Sequence, residues 1–331
     1  HPLADSLEFY APEASFNIMD TTLTAGDVKY IKVADAAIFP GDGQVEISEN
    51  ARVSPLENAM IIADTADKTH LITDATVRIE SKYSYKARGS YAYKNLVDDI
   101  QVIEFDQIEV DTSYHTVAEG EITEEQQFMF SPQFTYMGDV SLDAGDPLLY
   151  FDGSYQIVQD CDPALSRWVN FTSRVKPDSL AFPVPHQPEE YGGRKLYAGI
   201  YHSNENNRVY PVFLSPRTYY SDTLMMRADG VITTRKKGRE FLITQPELLG
   251  IPEDEFPEAP FMTLNTDDCK ITAGGPVSFA VDYGKVNMNA FGRTEHFIIP
   301  DSTLFNVFIT LDFFFNDEAL AYMAENLNAA N

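Results

Sequence analysis

At 331 residues the chain exceeds the usual single-domain size of roughly 100–200 residues. A hydrophobic fraction of 44% with 12% aromatics rules out global disorder and supplies core for two domains. Lysine and arginine number 24 against 51 aspartates and glutamates, a net charge of −27, which repels phosphate backbones and anionic membranes and excludes nucleic acid as a partner.

The opening His1-Pro2-Leu3-Ala4-Asp5 has neither a basic start nor an apolar stretch. It therefore reads as following a processing site or as cut from a longer polypeptide. Thr24-Ala25-Gly26-Asp27 is a turn before the alternating strand Val28–Val33, and Phe39–Gly43 is a second turn leading into Gln44–Ser48. A four-residue phrase then recurs as Asp35-Ala36-Ala37-Ile38, Asn50-Ala51-Arg52-Val53, Asn58-Ala59-Met60-Ile61 and Asp74-Ala75-Thr76-Val77. Short strands at such regular spacing are how repetitive β architecture is written. Asp or Asn suits a corner because it tolerates left-handed backbone, and Ala with the aliphatic residue two places on share one strand face. If that strand stack is open-ended, Val53, Ile61 and Val77 line an apolar groove for a lipid or acyl chain; if closed, they are core.

Glu80–Lys94 reads as a hairpin with its loop at Lys86–Ser90. That pairing sets Tyr83, Tyr85, Tyr91 and Tyr93 on one side, a platform for a glycan or simply cross-strand packing. Strands continue through Ile100–Val110, break at an exposed acidic Glu119–Glu125, and resume at Phe128–Phe130, Asp139–Leu142 and Leu148–Val158. Asp152-Gly153 marks a turn or bulge within the last of these. Pro183, Pro185, Pro188 and Gly192-Gly193 mark a loop near a domain boundary, and a second acidic, proline-rich loop spans Gly250–Pro260. Arg235–Arg239 is the charged tip of a hairpin. Near the end, Phe305, Val307, Ile309, Leu311 and Phe313 alternate along one strand face. Asn316 offers an N-cap, with Leu320, Met323 and Leu327 spaced for one amphipathic helix packed on the sheet.

The expectation is an all-β protein: residues 1–182 a repetitive stacked-strand, solenoid-like or jelly-roll domain, and 183–331 an antiparallel β domain ending in a short helix over 317–328. No stretch reaches the roughly 18–20 apolar residues needed to span a bilayer, so no transmembrane segment is expected.

Catalytic motifs are missing: there is no nucleophile elbow, zinc-protease helix, phosphate loop or dinucleotide fingerprint. No catalytic residue and no metal ligand is assigned, and no cofactor is expected. The six histidines are scattered, with His186 and His202 flanking Glu189 and Glu190 as the one conceivable metal grouping. The runs Asp160-Cys161-Asp162, Glu253-Asp254-Glu255 and Asp267-Asp268 could supply oxygen ligands for Ca2+, though none fits the EF-hand loop. Cys161 and Cys269 are either free core thiols or one long-range disulfide.

Two stretches carry a resemblance. Residues 33–93, with the repeated phrase and Ile61-Ile62-Ala63-Asp64, resemble the stacked-strand modules of lipopolysaccharide-transport bridge proteins. Leu148–Val184, with Tyr150-Phe151-Asp152-Gly153, Ser166-Arg167-Trp168-Val169-Asn170-Phe171 and Lys176-Pro177-Asp178, resembles large β-rich envelope proteins of Gram-negative gut bacteria. These resemblances imply export to the periplasm, outer membrane or cell surface and membership of a larger polypeptide, and bring no activity with them. The expected function is a non-catalytic structural or protein-interaction module, with envelope proteins or other parts of that polypeptide as partners. The alternatives are a lipid carrier and a glycan-binding module.

Overall fold

The computed structural model describes residues 7–64, 70–251, 259–279, 286–313 and 317–329. The protein is all-β, with antiparallel sheets and one short C-terminal helix. The chain divides into two compact units, His1–Val158 with Trp168–Ala181, and Gln159–Arg167 with Phe182–Asn331.

In the first unit, β1 (Glu13–Asn17) and β2 (Thr22–Gly26) form a hairpin, and β3 (Ile31–Val33) and β4 (Ala36–Phe39) form another. Next, β5 (Val45–Ser48) returns to β2 and is followed by β6 (Arg52–Val53), completing a four-stranded sheet. The long meander comes next: β7 (Leu56–Ala63), β8 (His70–Ser81), β9 (Ser84–Lys94), β10 (Ile100–Val110) and β11 (Thr116–Ile122). It ends with β12 (Met129–Ser131), β13 (Phe134–Asp143), β14 (Tyr150–Ile157) and β15 (Val169–Arg174). These strands pair in the order β3-β4-β7-β8-β9-β10-β11-β13-β14-β15, with β12 beside β13.

The recurring phrase explains how this sheet begins. Its copies on β4, β7 and β8 lie side by side, pairing Ile38 with Ile61 and Ala59 with Ala75. Asn58 and Asp74 are left-handed, with φ of 50° and 51°. They sit inside β7 and β8 rather than at corners, where the register shifts as a β-bulge. A bulge inserts one residue and reverses which parity faces inward. Ile72 is therefore buried before the bulge, and Ala75 and Val77 after it.

The sheet curls so far that its beginning meets its middle. The Asp35 carboxylate, in the β3–β4 turn, accepts from the Thr116 backbone N–H at 2.9 Å and from the Thr116 hydroxyl at 2.7 Å. Thr116 opens β11, separated from β4 by four strands of the sheet, and its Oγ1 also lies 2.8 Å from the buried Tyr85 hydroxyl. The far end of the curl is filled with rings. Phe130, Tyr136, Phe151 and Phe171 stack edge-on or tilted with centroids 4.9–6.3 Å apart, a geometry that suits aromatic quadrupoles. Tyr136 lies over the Gly138–Gly153 cross-strand pair, where a Cβ on Gly153 would come within 2.3 Å of the Met137 carbonyl oxygen. Asp152-Gly153 is thus mid-strand, not a turn, and its glycine is needed for close approach. Glu119-Gly120-Glu121-Ile122 likewise belongs to β11: Ala118 and Ile122 face the core, and the glutamates face out.

In the second unit, β16 (Phe182–Val184), β17 (Tyr197–His202), β18 (Val209–Ser215), β19 (Thr223–Arg227) and β20 (Gly230–Arg235) come first. Then follow β21 (Glu240–Thr244), β22 (Phe261–Asn265), β23 (Lys270–Pro276), β24 (Val286–Phe297), β25 (Ser302–Phe313) and the helix α1 (Asp317–Ala329). One sheet runs β16-β20-β21-β22-β23-β24-β25, and a smaller one, β18-β17-β19, packs against its β23–β25 side. The β20–β21 hairpin carries Arg235–Arg239 at its tip, where the Arg235 and Lys236 side chains each reach buried Glu240 at 2.7 Å. Cys161 and Cys269 are joined as a disulfide across 108 positions, which fastens the Gln159–Arg167 excursion to this unit. The helix forms, but Leu320 and Met323 are exposed rather than seated on a sheet. Asn316 and the Leu327 side chain lie outside the described residues.

Substituting Asp35→Ala leaves the buried Thr116 N–H without its acceptor and the Thr116 hydroxyl with Tyr85 alone, and should cost about 1–3 kcal/mol in urea unfolding. An unchanged midpoint would show that this tie does not hold the curl.

Candidate interaction surface

The strongest unmet surface lies on the last strand of the second unit's large sheet. β25 pairs with β24 through twelve consecutive residues without a register shift, from Phe297–Ser302 to Val286–Phe313. On its other side it has no partner strand among the described residues. β23 pairs as far as Phe291 and the Val277 N–H reaches the Ala290 carbonyl at 2.8 Å, so among the described residues 286–289 and 310–313 have only each other as strand partners. Such a two-stranded stretch alone is marginal in water.

Apolar residues stand on both faces of this edge. Leu304 and Phe308 are 55% and 67% exposed on one face, and Ile309 and Leu311 are 46% and 47% exposed on the other. The alternation Phe305, Val307, Ile309, Leu311 does face one side, as the sequence implies, but only Phe305 and Val307 are half-covered. At the loop end His296 packs against the hairpin, with Nδ1 at 3.0 Å from the Thr303 hydroxyl. Burial pushes its pKa below the ordinary imidazole value, opposed in part by the Asp301 carboxylate.

The edge was not singled out in the sequence because its odd positions alone read as an ordinary core face. The signal that finds it is the second apolar set, Leu304 and Phe308, within the charge-free run Ser302–Leu311.

The tyrosine platform is not formed. Lys86–Ser90 is not a loop but the middle of β9, and the turn falls at Lys82-Tyr83, with Ser81 opposite Ser84. The period-2 pattern Lys86-Ala87-Arg88-Gly89-Ser90 alternates charged or polar outward with small inward, which resembles a turn in composition only. Tyr85, Tyr91 and Tyr93 consequently point toward the core, where burial raises the pKa of each. Tyr83 stays at the turn beside Tyr114, ring centroids 5.3 Å apart. Nor do Val53, Ile61 and Val77 line an open apolar groove: Ile61 and Val77 are fully buried and Val53 is nearly so.

The remaining candidates are separated. His186 pairs with Asp229, His202 Nε2 lies 2.9 Å from Asn207 Oδ1, and Glu190 pairs with Arg194. Asp162 caps the Ala164 N–H at 2.8 Å and Asp267 meets Arg239 at 3.0 Å. Glu253-Asp254-Glu255 lies outside the described residues. Among the described residues no three His, Cys, Asp or Glu side chains are placed together to hold a metal ion.

A second aromatic surface was missed because its members are spread over two strands and a loop. The Arg217 guanidinium lies 5.0 Å over Tyr197 and 4.6 Å over the exposed Tyr220. Buried Asp222 anchors that loop, accepting from the Tyr210 hydroxyl and, at 3.0 Å, from the Tyr219 N–H. Desolvation, with Asp222 adding to it, pushes the Tyr210 pKa up to about 12.

Comparison with protein-family models, with curated proteins and with solved structures found no match. No helix among the described residues is long and apolar enough to cross a membrane, which leaves strand-built crossings unaddressed.

A histidine whose folded pKa is depressed stabilises the fold above its unfolded value near 6.5, and that contribution is lost as pH falls through the folded value. Urea midpoints of the wild type should therefore drop between about pH 7.5 and 5 more steeply than those of His296→Asn. Parallel slopes for the two proteins would refute the assignment.

Proposed function

We propose that this chain is a non-catalytic structural or protein-interaction module of an exported bacterial cell-envelope protein, docking through the β25 edge. The observation that carries the reading is that edge: twelve residues, apolar on both faces, with no partner strand among the described residues. Strand edges of this kind recruit another strand through main-chain hydrogen bonds, with side chains supplying selectivity.

The Cys161–Cys269 disulfide supports the exported setting, because such bonds persist in oxidising compartments and are rare where glutathione keeps thiols reduced. Its partners are envelope proteins or other parts of a larger polypeptide. The lipid-carrier and glycan alternatives lose their motivation, since Ile61, Val77, Tyr85 and Tyr93 are committed to the core.

The test is cross-linking and affinity capture of the parent protein from its own envelope, with maleimide labelling before any reduction. A defined partner cross-linked through residues 302–311, with both cysteines unreactive, is the expected result. Free thiols in native material would overturn the exported reading, and absence of any cross-link at β25 would overturn the docking reading. The double variant Cys161→Ser/Cys269→Ser should lose roughly 4–5 kcal/mol of stability, the chain-entropy value for so long a loop. A loss under about 1 kcal/mol would show that the bridge is incidental.

A further inference from the structure

The edges of the described sheets are guarded unevenly. The opposite edge of the same large sheet is β16, three residues long and carrying Pro183, which cannot donate to a neighbouring strand. In the first unit the end strands are short as well: β3 has three residues, β6 two, β1 five and β15 six. Short strands, proline, lysine and bulges are the usual means of preventing edge-to-edge association. β25 has none of them. Its ten residues Ser302–Leu311 contain no charge and no proline, and its register against β24 is unbroken.

The charge pattern bears on what can cover such an edge. The chain carries a net −27, so two copies repel over most of their surface. Ser302–Leu311 itself brings no carboxylate to such a seam; the acidic neighbours Asp301 and Asp312 meet their counterparts only at its two ends. It offers a basic partner no charge to bind, which disfavours electrostatic recruitment of a cationic protein. A second β25 has the matching length, about 33 Å for ten residues, and the matching apolar alternation. Antiparallel pairing about a two-fold axis keeps each face of one strand continuous with the same face of the other. Leu304 and Phe308 then extend one apolar face and Val307 and Ile309 the other, in an isologous contact that closes on itself. The pairing joins the two large sheets edge to edge through β24-β25-β25-β24, and the 310–313 end of each strand lies at the margin of the seam.

We propose that the partner of the β25 edge is a second copy of this chain, joined by antiparallel two-fold pairing of Ser302–Leu311. The inference rests on the docking reading above and names its occupant.

Light scattering on the eluting full chain, from micromolar to near-millimolar concentration, tests it together with amide exchange. The expected result is a species of twice the chain mass, with amides 302–311 protected, and loss of protection on dilution. Phe308→Lys and Ile309→Lys, both at exposed positions, should give monomers with unchanged circular dichroism. Should either variant fold poorly, the concentration dependence of wild-type amide exchange still decides. A wild-type monomer throughout, or a dimer untouched by both substitutions, overturns the proposal. The two readings separate in envelope extract: amides 302–311 protected there while the purified chain is monomeric sinks the second copy alone. Free exchange in both settings sinks docking as well.

Discussion

The first unit is governed by one constraint: a long antiparallel meander must bury one face without a second sheet of similar size to lie on it. A sheet solves this by curling until its own inner face is the core. The tie that marks the solution is Asp35 on Thr116, with Tyr85 against the same hydroxyl. These groups are far apart in sequence and come together only if every intervening strand twists in one direction. Left-handed Asn58 and Asp74 supply part of that twist, since each bulge bends its strand and reverses parity so that aliphatic residues still point inward. The Gly138–Gly153 pair does a related job further on, making room for the Tyr136 ring inside the curve.

This explains which parts of the fold are legible in the sequence. The all-β class, the strand at Ile100–Val110, the Arg235–Arg239 hairpin tip and the terminal helix follow from local period and turn chemistry. In two of its four copies, at Asn58 and Asp74, the recurring phrase also carries a left-handed residue followed by an inward Ala, because those are single-residue preferences. What it does not carry is whether a left-handed residue turns the chain or bulges it. That depends on the partner strand, as Asp74 shows by facing a continuous β9. Glu119-Gly120-Glu121 misleads for a similar reason: an outward face on a curled sheet tolerates dense charge, so a true strand resembles an acidic loop.

The candidate surface is less legible still. Tyr85 and Tyr93 are prominent in the sequence yet fully committed to the core, whereas the β25 edge is spelled with residues that elsewhere are core. Leu304, Phe305, Val307 and Phe308 read as interior under any periodicity rule. Their exposure follows from sheet order, because a strand is an edge only by virtue of what fails to come after it in the ladder. No local pattern encodes that.

Acidity and edge exposure work together. A chain at −27 is protected against indiscriminate association by long-range repulsion, which relaxes the need to guard each edge with its own lysine or proline. Repulsion between distributed charges is weakened by salt over about 8–10 Å, whereas strand pairing acts at contact through main-chain hydrogen bonds and apolar burial. On the docking reading, an uncharged edge on such a surface is selective rather than merely adhesive: it disfavours partners that bring carboxylates to it and favours a strand that is itself neutral and alternating. β25 meets both requirements at once. That places specificity in what Ser302–Leu311 lacks as much as in the side chains it presents.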